Sequence, residues 1–514
     1  MHVSESPFVG AISFTLQSHP LKDPSLPVYS LVSVLSRVLL QWISIRSEKV
    51  HRIVQCPHLA AMMRPVLALS FLLAAMAAAA AAPDNSSVFD FPEYPPPMTP
   101  PPNQTLADSV APLSADEAFT KDPALQNLKI HFDTGKFGPP VELVHAYFDF
   151  WPIGVAVSSN GRIFTSFPRG NETFTLAEAN TVTTEMPFPD QDTNTPEAFV
   201  NTTNPGFSIA TEKLLFIQAV IVDGMDRIWA LDVGRPVVNG TTLLAASPGG
   251  PKLVGFHQNG TRFASITFPA SVVPADSSLN DLRIDLRGDG FAYLPDSSPQ
   301  RPGIVVVNLR TGVSWRHLDN HPSVIVQVDL ITFHNGVPNY IHPPVPPFAV
   351  TAFNRAAVDG VALSSDGELF YYAPLAGRRL FRIPTSFLKI QPSAVNPNAI
   401  ILANQAVQDL GDTGSHLIGL ESDDQGFIYL SAPEHNAINR FNPKTGLIEP
   451  FVRNPFIQWP DTLAVASLKS GGNFLYFTCN QLWLSPDYQS GTDLRTKPYA
   501  MFRVPIEGGK ANQL

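Results

Sequence analysis

A strand-turn-strand unit recurs along most of the chain. Each copy consists of a short apolar run, a tight turn rich in Gly, Asn and Asp, and a second run rich in aromatic residues. Such runs are typical of β-strands, and no amphipathic helical pattern extends beyond about three turns. The repeat therefore predicts an all-β fold. The six copies span residues 154–165, 219–231, 282–293, 360–371, 419–430 and 463–477.

The spacing of the copies leaves room for two more strands in each unit. Strand-like runs do follow several copies, for example at residues 303–315, 379–383 and 437–448. Six units of four antiparallel strands predict a six-bladed β-propeller, a closed ring that protects most sheet edges. A pair of β-sandwiches would also contain short strands, but sandwiches do not predict six copies of one unit.

The residues before the repeat divide into three segments. Residues 62–82 contain a basic residue, an apolar run and an alanine-rich end, which is the pattern of a secretory signal peptide. We therefore expect translation to start at the beginning of this segment, which makes residues 1–61 a non-native N-terminal extension. An uncleaved signal anchor is the alternative for residues 62–82. Proline-rich residues 83–127 are predicted to form a linker, and residues 128–514 the propeller.

Composition narrows the possible partners and the location. The formal net charge is -10, whereas nucleic-acid binding requires a basic patch. No nucleic-acid partner is therefore expected. Two cysteines in 514 residues exclude a disulfide framework and a cysteine-based zinc cluster. Six Asn-x-Ser/Thr sequons agree with export, so we expect a secreted, extracellular glycoprotein with no membrane partner once the signal peptide is cleaved. The sequons lie at Asn85, Asn103, Asn171, Asn201, Asn239 and Asn259.

Five segments of the repeat region form a series in a fixed order, at residues 222–234, 280–285, 371–386, 414–438 and 501–505. In these segments the chain resembles the major royal jelly protein/yellow family of secreted proteins. The resemblance implies a signal peptide, a six-bladed propeller and an extracellular location. Family members commonly carry a cysteine where this chain has Gly224 and Met225. Neither the disulfides typical of insect members nor insect-specific roles are therefore expected here.

The innermost strand of each propeller blade lines a central channel, and the residues that enter these strands surround one mouth of it. Acidic and amide side chains occupy several of these entries, so we expect a small-molecule ligand to bind there. Oxygen-rich rings of this kind also suit hard cations such as Ca²⁺. The predicted ligand-binding residues are Gln218, Asn280, Asp281, Asp359, His416 and Asp461, with Glu434 from a neighbouring loop.

Some of these residues are candidate metal ligands, and others are candidates for proton transfer. Gluconolactonase-like propellers, a similar six-bladed fold, use Asn and Asp at equivalent strand entries as metal ligands, and this analogy selects Asn280, Asp281 and Asp359. If the site is catalytic, His416 and Asp461 are the candidates for moving a proton. Each residue also has a structural alternative, because Asp and Asn often cap turns and a lone histidine is more often part of the core.

Three classes of function remain open. The resemblance and the acidic ring favour binding of a small ligand, an aromatic amine or a related metabolite. The alternative is an enzyme, either a metal-dependent lactonase-like hydrolase or an isomerase of the dopachrome-converting kind associated with some yellow proteins. The third class is an interaction scaffold whose channel is filled by side chains. The Gly-x-Ser-x-Gly, His-Glu-x-x-His, Walker and Rossmann motifs are absent from the sequence, so enzymes of those types lack support.

Overall fold

Each recurring unit of the sequence forms the two inner strands of a four-stranded antiparallel sheet. The computed structural model describes residues 134–514, apart from residues 171, 197, 200–205, 208–211, 236, 239–241 and 342–351. Across this part of the chain, six such sheets form the blades of a β-propeller. The predicted all-β fold with six blades of four antiparallel strands is confirmed.

Five blades use their strands in chain order from the channel outwards. Blade 1 contains β2 (Val155–Val157), β3 (Ile163–Ser166), β4 (Leu176–Ala179) and β5 (Glu185–Pro187). Blade 2 contains β8 (Ile217–Val222), β9 (Ile228–Asp232), β12 (Lys252–Phe256) and β13 (Arg262–Thr267). Blade 3 contains β14 (Arg283–Asp285), β15 (Phe291–Asp296), β16 (Gly303–Asn308) and β17 (Ser314–His317). Blade 4 contains β22 (Val358–Leu363), β23 (Leu369–Pro374), β24 (Arg379–Pro384) and β25 (Gln408–Asp412). Blade 5 contains β26 (Leu420–Ser422), β27 (Ile428–Ala432), β28 (Ala437–Asn442) and β29 (Leu447–Arg453).

The sixth blade joins the two ends of the propeller. Its outer strand is β1 (Glu142–Tyr147), which precedes all the others in the chain and pairs with the last strand, β32 (Tyr499–Ile506). His145 of β1 also places its Nε2 atom 2.7 Å from Glu185 Oε1 in blade 1. The ring is therefore closed by backbone pairing and by a side-chain contact. Blade 6 contains β30 (Pro460–Ser467), β31 (Asn473–Cys479), β32 (Tyr499–Ile506) and β1 (Glu142–Tyr147).

Short hairpins and helices occupy the connections between blade strands. The described hairpins are β6 (Ala198–Phe199) with β7 (Gly206–Phe207), β10 (Val237–Val238) with β11 (Thr242–Leu243), β18 (Phe333–His334) with β19 (Val337–Pro338), and β20 (Tyr340–Ile341) with β21 (Ala352–Phe353). Helices α1 (Thr385–Leu388) and α2 (Ala399–Ala406) lie between β24 and β25, and 3-10 turns span Pro433–His435 and Leu482–Leu484. Within the described ranges, no helix has the length and apolar character needed to span a membrane.

The hydrophobic core is divided into layers between neighbouring blades. Between blades 1 and 2, for example, Phe164 of β3 packs in one cluster with Val254 and Phe256 of β12. Corresponding clusters lie between the other neighbouring pairs. Because blades are covered on both faces, some strands are continuously apolar, as at residues 304–307, all of which are buried. This packing explains why only 15% of the residues are charged.

The C-terminal tail crosses the end of the channel that lies opposite the strand entries. The N–H group of Leu286, beside the end of β14, donates to the carbonyl of Gln513 over 2.8 Å. The N–H group of Lys510 donates to Ser467 Oγ, at the end of β30, also over 2.8 Å. The tail is thereby attached to the inner strands of at least two blades and covers this end of the channel.

One predicted glycosylation site lies in the described part of the chain. Asn259 is exposed in the turn between β12 and β13, where its Oδ1 atom accepts a hydrogen bond from the N–H group of Thr261 over 3.0 Å. The predicted extension, signal segment and linker, residues 1–127, lie outside the described residues. The other sequons, at Asn85, Asn103, Asn171, Asn201 and Asn239, lie outside them as well.

Candidate functional site

Entry residues from four blades surround a small cavity at the channel mouth. Gln218 lies in β8, Asn280 and Asp281 precede β14, and Asp359 and Asp461 lie near the starts of β22 and β30. The cavity has a volume of about 10 Å³, which is the space of a single water molecule. The structure thus brings together five of the residues predicted from the sequence.

Asp281 is held by an internal cation. Arg283 Nη1 donates to Asp281 Oδ1 over 2.9 Å, and the N–H group of Leu282 donates to the same oxygen over 2.7 Å. The N–H group of Val361 lies 3.4 Å from Asp281 Oδ2. Burial raises the pKa of Asp281, while the charge of Arg283 acts in the opposite direction. The negative charge of Asp281 is therefore already balanced within the protein.

Asp359 and Asp461 have no such cation. No salt bridge in the described residues involves either carboxylate, although Asn480 Nδ2 donates to Asp461 Oδ2 over 2.7 Å. Burial raises the pKa of Asp359 well above its usual value, and the charges of Asp461 and Asp281 raise it further. Burial also raises the pKa of Asp461 to about 7. The mouth therefore holds two carboxyl groups that have no internal cation, and their raised pKa values favour the protonated, neutral form.

Contacts within the protein already engage two of the three predicted metal ligands. Gln218 Nε2 donates to Asn280 Oδ1 over 3.0 Å, so the amide oxygen that a metal would need is already engaged. Asp281 has its own cationic partner, which leaves Asp359 alone of the predicted set. In the described part of the chain, no group of three or more His, Cys, Asp and Glu side chains is arranged to hold a metal ion. As they are arranged, Asn280, Asp281 and Asp359 offer fewer free oxygens than the six or more that Ca²⁺ takes, and a metal at these residues stays a prediction.

Glu434 does not line the cavity and connects three loops instead. Arg378 Nη2 lies 2.8 Å from Glu434 Oε2 in a salt bridge. The N–H groups of Phe333 and His416 donate to the same carboxylate over 2.9 and 3.3 Å. These contacts give Glu434 a structural role. Glu434 also lines a separate cavity of about 470 Å³, and its contact with a ligand stays a prediction.

His416 is fully buried beside Trp459, with 5.3 Å between the ring centres. Neither of its ring nitrogens has a hydrogen-bond partner among the described residues. Burial lowers the pKa of His416 to about 3, so the imidazole is neutral and only weakly basic at neutral pH. These properties favour the structural alternative over proton transfer. His334, stacked on Trp483 at 4.6 Å, is likewise buried, and burial lowers its pKa to about 4.

Trp459 and Tyr488, which we call the aromatic roof, adjoin the acidic residues. Trp459 is fully buried two positions before Asp461 and has a φ angle of 60°, which bulky residues rarely adopt. The Tyr488 ring lies 5.9 Å from Trp459, and its Oη atom accepts a hydrogen bond from Asn354 Nδ2 over 2.8 Å. Burial raises the pKa of Tyr488, and neighbouring acids, Asp359 among them, add to the shift. Two aromatic rings therefore lie near the unpaired carboxylates without lining the mouth cavity itself.

Sequence reasoning missed two of these residues. Arg283 carries a usable signal, because side chains two positions apart on an extended strand share a face, and Arg283 follows Asp281 at that spacing. Tyr488 carries none, because it lies in the long connection between β31 and β32, which has no regular pattern. Trp459 lies two positions before Asp461 in the sequence, but a tryptophan in a propeller is expected to pack within a blade, so nothing in the sequence marks it as part of the site.

One protein family matches the sequence directly. The sequence model of the major royal jelly protein family matches residues 217–493, which is more than half of the chain. The chain belongs to the major royal jelly protein family. The segment that matches the royal jelly protein family begins at β8 and includes all five residues around the mouth as well as the aromatic roof. No curated protein sequence matches the chain.

Solved structures similar to this royal jelly family member are distant in sequence. A luciferin-regenerating enzyme is 13% identical, with a TM-score of 0.41 over 73% of this chain and 98% of the other. A gluconolactonase from Xanthomonas campestris is 10% identical, with a TM-score of 0.39 over 73% and 92%. The calcium-binding protein regucalcin from Agrobacterium tumefaciens is 11% identical, with a TM-score of 0.40 over 73% and 97%. Likeness at this level supports no conclusion about a ligand or a reaction.

Proposed function

We propose that the protein is a secreted propeller that binds a small organic cation with an aromatic ring, such as an aromatic amine, at the channel mouth. The observation that carries the proposal is the position of the buried Asp359 and the half-buried Asp461, two carboxylates without a cationic partner near the aromatic roof. Buried carboxylates are costly unless they are paired, and the protein pairs only the third mouth carboxylate, Asp281.

A positively charged ligand would remove this cost. An ammonium group beside Asp359 and Asp461 favours their ionised forms, because an opposite charge nearby lowers the pKa of a carboxylic acid. In their ionised forms the same groups repel an anionic ligand and give a neutral one no electrostatic advantage. The mouth therefore selects ligands by their charge, independently of their shape.

The aromatic roof supports the organic part of such a ligand. Aromatic faces attract organic cations and stack with other rings, and both Trp459 and Tyr488 lie close to the acidic residues. The cavity of about 10 Å³ is too small for an aromatic amine. Binding therefore requires the roof to move, and the connection that carries Tyr488, residues 480–498, is the element that we expect to open.

Secretion is supported by three observations of different kinds. Residues 62–82 have the pattern of a signal peptide. The family to which the chain belongs consists of secreted proteins. The described sequon at Asn259 lies in an exposed turn, where a glycan is readily attached. Detection of the glycosylated chain in culture medium, starting after residue 82, tests this part of the proposal, and retention in the cell contradicts it.

Calorimetry with matched ligands tests the binding proposal. Phenethylamine and 2-phenylethanol share a ring and a chain length, but only the amine is charged. We expect the amine to bind about 10- to 100-fold more tightly, the range expected for hydrogen bonds to charged groups. The double variant Asp359→Asn/Asp461→Asn should lose this preference. The control Asp289→Asn, which removes an exposed carboxylate paired with Arg310, should keep it.

Two results would contradict the binding proposal. Equal affinity for the amine and the alcohol would show that the mouth does not select charge. Turnover of a simple lactone or of a dopachrome-type substrate that is abolished by EDTA would instead favour the enzyme alternative.

A further inference from the structure

We infer that Arg283 restricts the channel mouth to singly charged cations by occupying the place that a divalent metal ion would need. Arg283 is a specificity-determining residue in this view, and the inference rests on the proposed binding of an organic cation at the mouth. It starts from the mismatch between the acidic mouth and a calcium site described above.

The guanidinium of Arg283 lies inside the channel, directly below the mouth. Its side chain is only 7% exposed. One terminal nitrogen binds Asp281 Oδ1 at 2.9 Å, and the other lies 3.6 Å from Glu421 Oε2 and donates to the carbonyl of Leu420. Arginine cannot lose its proton in a protein, so this positive charge is permanent.

A second cation enters the channel from the opposite end. Lys510, in the C-terminal tail, donates from its Nζ atom to the carbonyl of Val222 over 2.6 Å. Lys510, Arg283 and Glu421 line one cavity of about 50 Å³. The charge of Glu421 is therefore shared between two internal cations, and Arg283 is not drawn away from Asp281.

Counting charges along the channel shows what the mouth can accept. Apart from Asp223, whose charge is balanced by Arg227, four carboxylates against two cations leave two negative charges in excess when all the groups are ionised. Both excess charges belong to the mouth carboxylates without a salt bridge. The carboxylates are Asp281, Asp359, Asp461 and Glu421, and the cations are Arg283 and Lys510.

An ammonium group and a divalent metal ion respond differently to this arrangement. An ammonium group needs one or two acceptor oxygens, and Asp359 and Asp461 provide them. A divalent ion needs a larger shell of oxygens, and the next carboxylate, Asp281, is held by Arg283. The guanidinium also repels a doubly charged ion more strongly than a singly charged one. Removal of the Arg283 charge would free Asp281 to act with the other two carboxylates as a metal-binding set.

The test is a Ca²⁺ titration of the full chain by calorimetry, which needs no organic ligand. For Arg283→Met we expect a Kd for Ca²⁺ of about 0.1–1 mM, the range of extracellular calcium modules, and at least about tenfold weaker binding by the wild type. Arg283→Lys keeps the charge and should behave like the wild type. Arg310→Met is the matched control, because it removes an arginine from an exposed ion pair outside the channel.

Arg283 is buried, so folding of each variant is checked by circular dichroism. Lys510→Met is a second variant that tests the same inference. Loss of the Lys510 charge should draw Arg283 towards Glu421 and away from Asp281, so we expect a smaller gain in Ca²⁺ affinity. A folded Arg283→Met variant with no gain overturns the inference, and so does a wild-type chain that binds Ca²⁺ in competition with phenethylamine. The competition between Ca²⁺ and phenethylamine for the wild-type chain tests the inference even if both variants unfold.

Failure of this inference is distinguishable from failure of the proposed function. If the wild type binds neither phenethylamine nor Ca²⁺ while Arg283→Met gains Ca²⁺ binding, the role of Arg283 is supported and the amine proposal is overturned. If the wild type binds phenethylamine and also binds Ca²⁺ at the same site with similar affinity, the amine proposal is supported and the role of Arg283 is overturned.

Discussion

Replacement of Asp461 by Asn should stabilise the protein at neutral and alkaline pH. The carboxyl group of Asp461 has an ordinary pKa of 3.8, and burial raises it to about 7 in the folded state. Between these values the folded protein keeps a proton that the unfolded chain has released. The free energy of unfolding therefore falls as the pH rises from about 4 to about 7. The Asp461→Asn variant has no such penalty, because an amide does not ionise.

The size of the effect follows from the pKa difference. A difference of roughly three units corresponds to about 4 kcal/mol, at ~1.4 kcal/mol per unit. Asp461 is partly exposed to the mouth cavity, so we expect about 2–3 kcal/mol, the remainder being screened. The hydrogen bond from Asn480 Nδ2 is preserved, because the new amide keeps one acceptor oxygen. At roughly 2 °C per kcal/mol, the melting temperature should rise by about 4–6 °C.

Thermal unfolding followed by circular dichroism across a pH series measures this difference. The wild type and the Asp461→Asn variant should have the same melting temperature below about pH 4. Their melting temperatures should diverge as the pH rises to about 8, where the variant is the more stable. The control Asp289→Asn should behave oppositely. Hydrogen bonds to Asp289, of which the one from Arg310 has the largest effect, lower its pKa to about 2. The ionised carboxylate therefore stabilises the fold at neutral pH, and the Asp289→Asn variant should not be more stable than the wild type. A stability difference for Asp461→Asn that is unchanged across the pH series would refute the reasoning.

Three further predictions concern stability away from the mouth. Asp232→Asn should cost about 3–5 kcal/mol in denaturant unfolding, because it leaves the fully buried Lys252 ammonium, 2.8 Å away, without its partner. His416→Phe should flatten the loss of stability on acidification from about pH 6.5 to about pH 3, because burial lowers the pKa of His416 and only the unfolded chain binds the proton in that range. Glu185→Gln should cost about 1–2 kcal/mol and accelerate proteolysis before β1, since it weakens the contact with His145 that helps to close the ring.

The predicted inner strands agree with the structure because their signals are local. Each inner hairpin contains both of its strands and its turn within about 20 residues, and the turn residues, such as Gly367 and Gly426, take positive φ angles that favour glycine. The positions of the strand entries then follow from the topology of a closed ring. Asp359 and Asp461 lie 102 residues apart in the sequence, yet both lie at the mouth, as the repeat predicts.

The partners of the mouth residues could not be predicted in the same way. Asn280, Asp281 and Asp359 form a plausible metal set in the sequence, but Asn280 accepts a hydrogen bond from Gln218 and Asp281 pairs with Arg283. A residue type shows which interactions are possible, whereas the surrounding blades decide which interaction is made. Closure of the ring by β1 could not be predicted from the sequence either, because this strand pairs with residues at the other end of the chain.

The sequence by itself determined the fold class, the number of blades, the family and the positions that surround the mouth. These properties follow from short-range alternation of apolar and polar residues and from repetition, both of which are visible in a linear chain. Only the tertiary structure decided the charge balance of the channel, in which Arg283 and Lys510 offset two of four carboxylates and leave Asp359 and Asp461 unpaired. Charge balance depends on distances between side chains from different blades and on their burial, and a sequence contains neither.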